Sequence, residues 1–403
     1  MRPEAQIEVF IGLDVGKTAH HATLIDRNGE VLSTRAARND QAALEALLRF
    51  AAEHGPAALV LDQPGSIAAL TLAVCRQHGV PVAYVPGLVM RRAADLYPGE
   101  AKTDIRDSFV LADFARTHPG NLRWLEVADE TLEELRLLSG YDDDLADDRV
   151  RVVNRLRDLL TSLHPPLEAL LGPRLDHPAV RALLKRYPTP SALREAGRGR
   201  ILRLLRQRAP RIAERLADDV VVVLNAQTIT VPAEPRLGAI VMELASELDR
   251  LDERRDRLAG EIEAVFRSHP LGPILISLPG VGPRLGSKIL VEVGDGTRFA
   301  SGAQLASYAG LAPVTRQSGT SIRGEKRSRR GNHRLKNALF LAAFCSLRHP
   351  ASKAFYDRKR LQGKKHNAAV ICLARRRCDV ILAMLSTATA YDPHHADRTA
   401  VAA

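Results

Sequence analysis

Apolar residues in the first ninety positions come in short runs and alternations. IEVFIGLDV (7–15), AHHATLID (19–26) and EVLSTRA (30–36) read as three strands, with a turn signal at Arg27-Asn28-Gly29 joining the second to the third. A helical period follows from Asp40 to Glu53, apolar at Leu44, Leu47 and Leu48, and then a buried-strand run, AALVLD, that ends at Asp62. A helix through Leu70 and Val74 and a strand PVAYV at 81–85 complete the series. Three antiparallel strands followed by alternating helix and strand predict an α/β layer of the ribonuclease-H-like (RuvC-like) kind.

From about Asp129 the period becomes that of helices. Leu138, Leu145, Val152 and Leu159 recur every seven residues, beside a seam of Leu135, Leu156 and Leu163 that Asp142 and Arg149 interrupt. A second long helix carries Leu237, Val241, Leu244, Leu248, Leu251, Leu258, Ile262 and Val265 at alternating spacings of four and three, broken where Arg255 takes a core position. Pro235 starts that helix and Pro270 follows it. Two such helices, separated by proline-containing helical linkers, predict either an antiparallel coiled-coil arm able to dimerise or a bundle closed within one chain.

Further on, ISLPGVGPRLGSKIL (276–290) has the layout of a helix-hairpin-helix. Gly280 and Gly282 in its turn would let backbone N–H groups approach a phosphate at a helix N-terminus. A dinucleotide loop fits poorly, because Gly280, Gly282 and Gly286 give GxGxxxG with no convincing strand before it and no acidic ribose ligand at the expected distance. A plain helical turn is the remaining reading. The expected organisation is α/β plus all-α: a ribonuclease-H-like domain over 1–120, a helical linker and coiled-coil arm over 121–270, and a mainly helical C-terminal domain over 271–403.

Charge sharpens this picture. The 403 residues hold 58 Lys+Arg against 47 Asp+Glu, a formal net charge of +11. Residues 316–380 alone hold 18 basic and 3 acidic side chains, leaving 40 against 44 for the rest of the chain. A cationic segment on a slightly acidic body argues for a polyanionic partner such as nucleic acid. With 45% hydrophobic and 26% charged residues, the chain is an ordinary globular one, which excludes wholesale disorder. No apolar run approaches the roughly 18 to 20 residues of a membrane span. MRPEAQIEVF lacks a signal-peptide core. Cys75, Cys345, Cys372 and Cys378 form no CxxC pair and have no zinc-spaced histidine, so buried, reduced thiols in a cytoplasmic setting are expected.

Four acids suggest the chemistry. Asp14 ends the first strand in GLDVGK and Asp62 ends the fourth in VLDQPG; in the expected sheet these strands are neighbours, so both carboxylates project from one edge. Asp104 and Asp107, in AKTDIRDS, are three apart at a helix start and share a face. Such crowding is unfavourable unless divalent cations neutralise it, and hard oxygen ligands suit Mg²⁺ or Mn²⁺, which in pairs activate a nucleophile and stabilise a leaving oxygen in phosphodiester chemistry. The structural alternative makes Asp104 a helix N-cap, Asp107 a first-turn dipole partner, and Asp14 and Asp62 strand-end caps.

Asp14 in GLDVGK, Asp62, AKTDIRD, LPGVGP, ASYAGLAPVTRQSG and RGNHRLKNAL, in that order, resemble the DEDD transposases of the insertion-sequence one-ten family, also called bridge-RNA-guided recombinases. The resemblance runs over about residues 8 to 390. One position departs: the family's second acid is commonly Glu, whereas this chain has Asp62, with Glu100 a less favoured substitute. The resemblance implies that Ser318 is a nucleophile forming a covalent phosphoserine, and that the four carboxylates and Mg²⁺ or Mn²⁺ complete a composite site. Ser321 is the runner-up; without the family, either serine reads as a surface turn residue. Activation of so weak a nucleophile suits metal-bound carboxylates, and Arg316 and Arg323 suit the developing charge.

Lys326, Arg327, Arg329, Arg330, Arg334 and Lys336, followed by Lys353, Arg358, Lys359, Arg360, Lys364, Lys365 and Arg375 to Arg377, look like phosphate contacts. Only Phe340, Phe344, Phe355 and Tyr356 interleave with them, too few for a single-strand stacking platform, so double-stranded DNA or structured RNA backbone is favoured. The resemblance further implies a structured noncoding RNA, a homo-oligomer (dimer or tetramer), no membrane, and a cytoplasmic, nucleoid-associated location. Two other functions compete. GLDVGKT and LDQPGS resemble the phosphate loops of an actin-like ATPase or sugar kinase, but the rest of the chain offers helices instead of a second such half. The other is a nonenzymatic nucleic-acid-binding protein.

Overall fold

A computed structural model describes residues 6–63, 66–97, 103–125, 130–318, 322–326, 328 and 330–393. The chain divides into two compact units, Met1–Asp129 and Glu130–Ala403.

In the first unit β1 (Val9–Asp14), β2 (Ala19–Asp26) and β3 (Val31–Arg38) form the expected meander, followed by α1 (Gln41–Ala52), β4 (Ala57–Leu61), α2 (Ala69–Gln77) and β5 (Val82–Tyr84). Then come α3 (Gly87–Ala94), α4 (Asp104–Thr117) and a short β6 (Arg123–Leu125). The sheet order is β3-β2-β1-β4-β5-β6, with β1, β4 and β5 parallel and β2, β3 and β6 antiparallel to their neighbours. Strand alternation sorts its side chains between two layers. Val9, Ile11, Leu13, Leu59 and Leu61 pack with Leu44, Leu47 and Leu48 of α1 and Val74 of α2. Phe10, Ile25, Ala58, Val60 and Ala83 pack with Val110, Leu111 and Phe114 of α4.

Gly12 fixes how closely α4 lies on the sheet. A Cβ there would stand 2.0 Å from the Ser108 carbonyl oxygen and 2.5 Å from the Ala112 nitrogen, so only glycine admits the helix backbone. The Ser108 hydroxyl, fully buried, is 2.8 Å from the Thr23 hydroxyl of β2. About two turns later, Arg116 donates to the Arg27 carbonyl just past the far end of β2. The helix therefore runs antiparallel to β1, with its N-terminus toward the strand end that carries Asp14.

The second unit is mostly helical. It opens with α5 (Glu130–Leu163), α6 (Pro165–Leu171), α7 (Pro178–Arg186), α8 (Pro190–Arg206) and α9 (Ala213–Asn225), then the long α10 (Glu234–Ser268) and the short α11 (Leu271–Ile276). The rest comprises α12 (Pro283–Val293), α13 (Gly302–Tyr308), a hairpin of β7 (Val314–Ser318) and β8 (Ile322–Lys326), and α14 (His333–Cys345), α15 (Pro350–Leu361) and α16 (His366–Thr387). No helix among the described residues is long and apolar enough to cross a membrane.

Helices α5 and α10 pack against each other within one chain. Asp142 of α5 meets Arg255 of α10 at 3.0 Å, and Arg149, seven residues on, meets Asp252 at 2.7 Å. The partner numbers fall as the α5 numbers rise, so the helices are antiparallel. Asp142 and Arg255, which interrupt the two hydrophobic seams, thus neutralise one another, and Arg149 is neutralised by Asp252. The seam of Leu135, Leu145, Val152, Leu156, Leu160 and Leu163 is the buried one; Leu138 and Leu159 are only partly covered.

Candidate active site

The parallel register pairs Leu13 with Leu61. Asp14 and Asp62, each one residue further, therefore stand at one height on adjacent strand ends. Continuing the alternation of Phe10 and Gly12, and of Ala58 and Val60, both face the α4 layer. Both are half-buried.

Asp104 and Asp107 occupy the first turn of α4, the exposed and the half-buried member respectively. The cap of this helix is not Asp104 but Thr103, whose hydroxyl accepts from the Arg106 N–H at 3.2 Å. Asp104 is thereby released from the capping role, while the helix N-terminus favours both anions electrostatically. Arg106 turns away and donates to the Ala94 and Tyr97 carbonyls at 3.1 and 2.9 Å. The donor set on this edge is carboxylate oxygen, which fits a hard divalent cation. Among the described residues no three His, Cys, Asp or Glu side chains gather closely enough to hold a metal ion. Glu100 lies outside the described residues.

Two histidines flank this edge, and neither was singled out from the sequence. His21 pairs with Asp14 in the β1–β2 register, and its buried Nε2 has no hydrogen-bond partner. His20 faces the opposite layer and is buried. Its Nδ1 accepts from the Gly16 N–H at 3.2 Å, so the proton belongs on Nε2, which lies 3.3 Å from the Thr71 hydroxyl of α2. Burial lowers its pKa, opposed by Asn39. His20 thus ties the loop after Asp14 to the helix after Asp62. The signal available in the sequence was a His-His pair in a strand following GLDVGK, where one ring must face each layer.

Ser318 is the last residue of β7, paired with Ile322, rather than part of the turn itself. Arg316 pairs with Gly324 and Arg323 with Gln317, and Lys326 closes the ladder opposite Val314. Ser321, Arg327 and Arg329 lie outside the described residues. Arg330 is exposed. Arg334 stands 3.7 Å from Asp143, and Lys336 donates to the Gly310 carbonyl at 2.8 Å. Arg377 is a correction to the phosphate-contact expectation: it is buried, donates to the Pro279 carbonyl at 2.6 Å, and is held down to a pKa of about 10 by burial. Cys345 is another, since it is exposed where a buried thiol was expected, as Cys75 and Cys378 are.

The segment LPGVGP forms the turn between α11 and α12. Gly280 has φ +83°, and a Cβ on it would lie 2.4 Å from the Ala342 carbonyl oxygen and 2.6 Å from the Ser346 nitrogen, so this glycine faces α14. Gly282 is the N-cap of α12 and is open on its Cβ side. Together with Arg284, Glu263 and Cys345 these glycines line an open groove of about 540 Å³.

A mixed sheet with aligned acidic strand ends, followed by a helical unit that contains a cationic segment, agrees with the architecture of a transposase, and similarity to known proteins identifies that class. Residues 11–165 match a DEDD family model described as a transposase, and residues 272–357 match one described as the transposase of the IS116/IS110/IS902 family. An IS110 insertion-element protein of 43.6 kDa from Streptomyces coelicolor is 51% identical over 388 residues, spanning 96% of each chain. The 44.8 kDa protein of IS116 from Streptomyces clavuligerus is 37% identical, again over 96% of each. The 42 kDa protein of IS900 from Mycobacterium paratuberculosis is 37% identical, over 96% of this chain and 97% of its own. The chain belongs to the IS110 family of transposases, enzymes of DNA cleavage and strand transfer.

Proposed function

We propose that this transposase cuts and rejoins DNA through two chemistries, a carboxylate-bound metal and a serine nucleophile. The observation that carries the reading is the matched height and facing of Asp14 and Asp62, with Asp104 and Asp107 at the start of the helix packed on that same layer. This sheet order is also that of a ribonuclease-H-like domain. Asp14, Asp62, Asp104 and Asp107 would hold Mg²⁺ or Mn²⁺, which when bound neutralises them and polarises phosphate oxygens. The four carboxylates would orient such an ion.

Ser318 Oγ bonds to phosphorus as the bond from phosphorus to a deoxyribose oxygen breaks; the Oγ proton leaves and the departing oxygen takes one up. The phosphoserine ester keeps the energy of the broken bond, so rejoining needs no nucleotide hydrolysis. Arg316, Arg323, Lys326, Arg327, Arg329, Arg330 and Arg334, with the Gly280–Gly282 helix-hairpin-helix turn, bind nucleic-acid backbone, whereas Lys336 is engaged by the Gly310 carbonyl. Regions 1–120, 121–270 and 271–403 serve as catalytic layer, arm and nucleophile-bearing domain. Family resemblance adds a guiding noncoding RNA, assembly into a dimer or tetramer, and action at the cytoplasmic nucleoid.

Ser318→Ala should abolish a protein–DNA adduct that survives denaturing electrophoresis, while Ser321→Ala should retain it. An undiminished adduct in Ser318→Ala rejects Ser318 as nucleophile. Asp14→Asn and Asp104→Asn should remove metal-dependent strand breakage with DNA affinity largely intact; normal recombination by either variant rejects the metal assignment.

A further inference from the structure

Three cations crowd a single aromatic ring where α15 packs on α16. The Arg358 guanidinium lies 5.1 Å from the centroid of Phe355, Lys359 Nζ lies at 5.6 Å, and the Arg376 guanidinium lies at 5.1 Å. The face of a phenyl ring attracts each of them, by about 0.5–1 kcal/mol at an exposed site, but gathering three like charges about one ring opposes that gain. The local acids are spent elsewhere. Asp357 is held by Lys353 at 2.7 Å and Asp379 by Arg375 at 3.3 Å, so among the described residues none of the three ring cations has an acidic partner, although Lys359 donates to the neutral Gln362 amide oxygen at 3.0 Å. Other basic residues of the same segment are used inside the fold, Lys336 on a carbonyl and Arg377 beneath the 277–282 turn. Arg358 and Arg376 remain exposed.

We infer that the Arg358–Lys359–Arg376 cluster is a docking surface for the phosphodiester backbone of duplex DNA. Fixed, unneutralised cations suit phosphate, and arginine suits it in a bidentate fork. The ring is flanked by cations, which leaves little bare aromatic face for an unpaired base, so the surface recognises backbone rather than stacked single strand. Only part of the basic segment is thereby available to DNA, and this cluster is its preassembled portion. The proposal rests on the reading of the chain as acting on DNA.

The full-length protein would be titrated with a fluorescent, nonspecific 30-base-pair duplex across a salt series, beside Arg358→Ala/Lys359→Ala/Arg376→Ala and Arg358→Lys/Arg376→Lys. Loss of three phosphate contacts should weaken binding about 10- to 100-fold at 0.1 M salt and flatten the log–log salt slope by about 2 to 3. The lysine variant, which keeps the charge, should retain the slope. Arg375→Ala, which removes a cation already paired with Asp379, should change the slope by less than one. Circular dichroism checks that each variant folds. Equal slopes for wild type and the triple-alanine variant overturn the proposal, as does a loss confined to structured RNA or single-stranded DNA. A wild-type protein that binds no duplex at any salt instead defeats the DNA-acting reading beneath it.

Discussion

His20 couples the loop after Asp14 to the helix after Asp62, and its chemistry makes the coupling sensitive to pH. With Nδ1 accepting from Gly16 and Nε2 facing Thr71, the ring works as a neutral donor–acceptor, and burial holds its pKa below 6.5. Unfolded chains take up the proton first as pH falls. The stabilisation from neutral His20 is therefore complete above about pH 6.5, declines as pH falls toward the folded pKa, and then levels off. Thermal unfolding of wild type and His20→Gln between pH 7.5 and 5 should show a shallower pH dependence in the variant; parallel curves would remove His20 from this role. At Gly12 the relevant quantity is space. Gly12→Ala forces α4 off β1 and should cost about 1–3 kcal/mol in denaturant unfolding, with strand breakage reduced because Asp104 and Asp107 travel with the helix.

At the scale of elements, legibility followed length and period. The first five strands show in the sequence because each carries either alternation or an unbroken apolar run, and the two long helices because their periods persist over most of their length. β6, only Arg123–Leu125, is too short to carry a period, and α3 is eight residues with paired arginines at its end. Asp142, Arg149 and Arg255 were visible only as interruptions, because the partner that explains each lies about a hundred residues away. Locally, Ser318 reads as a turn residue with glycine after it; the ladder to Ile322 needs a partner strand that a local pattern does not contain. Asp142→Ala should destabilise the second unit by about 3 kcal/mol, since it strands Arg255 and loosens Arg284 and Lys288 from α5. Asp142→Leu/Arg255→Leu should recover most of that, as measured by urea unfolding; a double variant no better than the single would mean the pair is not the interaction that matters.

For the whole molecule, the unequal distribution of charge sets behaviour in solution. A body of 40 basic and 44 acidic residues contributes little to the field, so the proposed association with a polyanion would be governed by residues 316–380. Contact with about 6 to 10 phosphates would weaken binding by roughly 10³ to 10⁵ between 50 and 200 mM salt, and equilibrium titration of the wild-type protein should show that decline. A flat response would mean the cationic segment serves another purpose.

The pairing of Leu13 with Leu61 also limits how such a chain can change. Side chains in a strand reverse direction at every step, so deleting one residue inside β4 would swing the following carboxylate to the α1 and α2 side of the sheet, out of reach of its neighbours. Exchanging Asp for Glu at position 62 lengthens the arm by one methylene and leaves its aim unchanged. Descendants of this sequence can therefore trade one acid for the other, or lengthen the connections around the sheet, while single-residue gaps within β1 or β4 should be selected against.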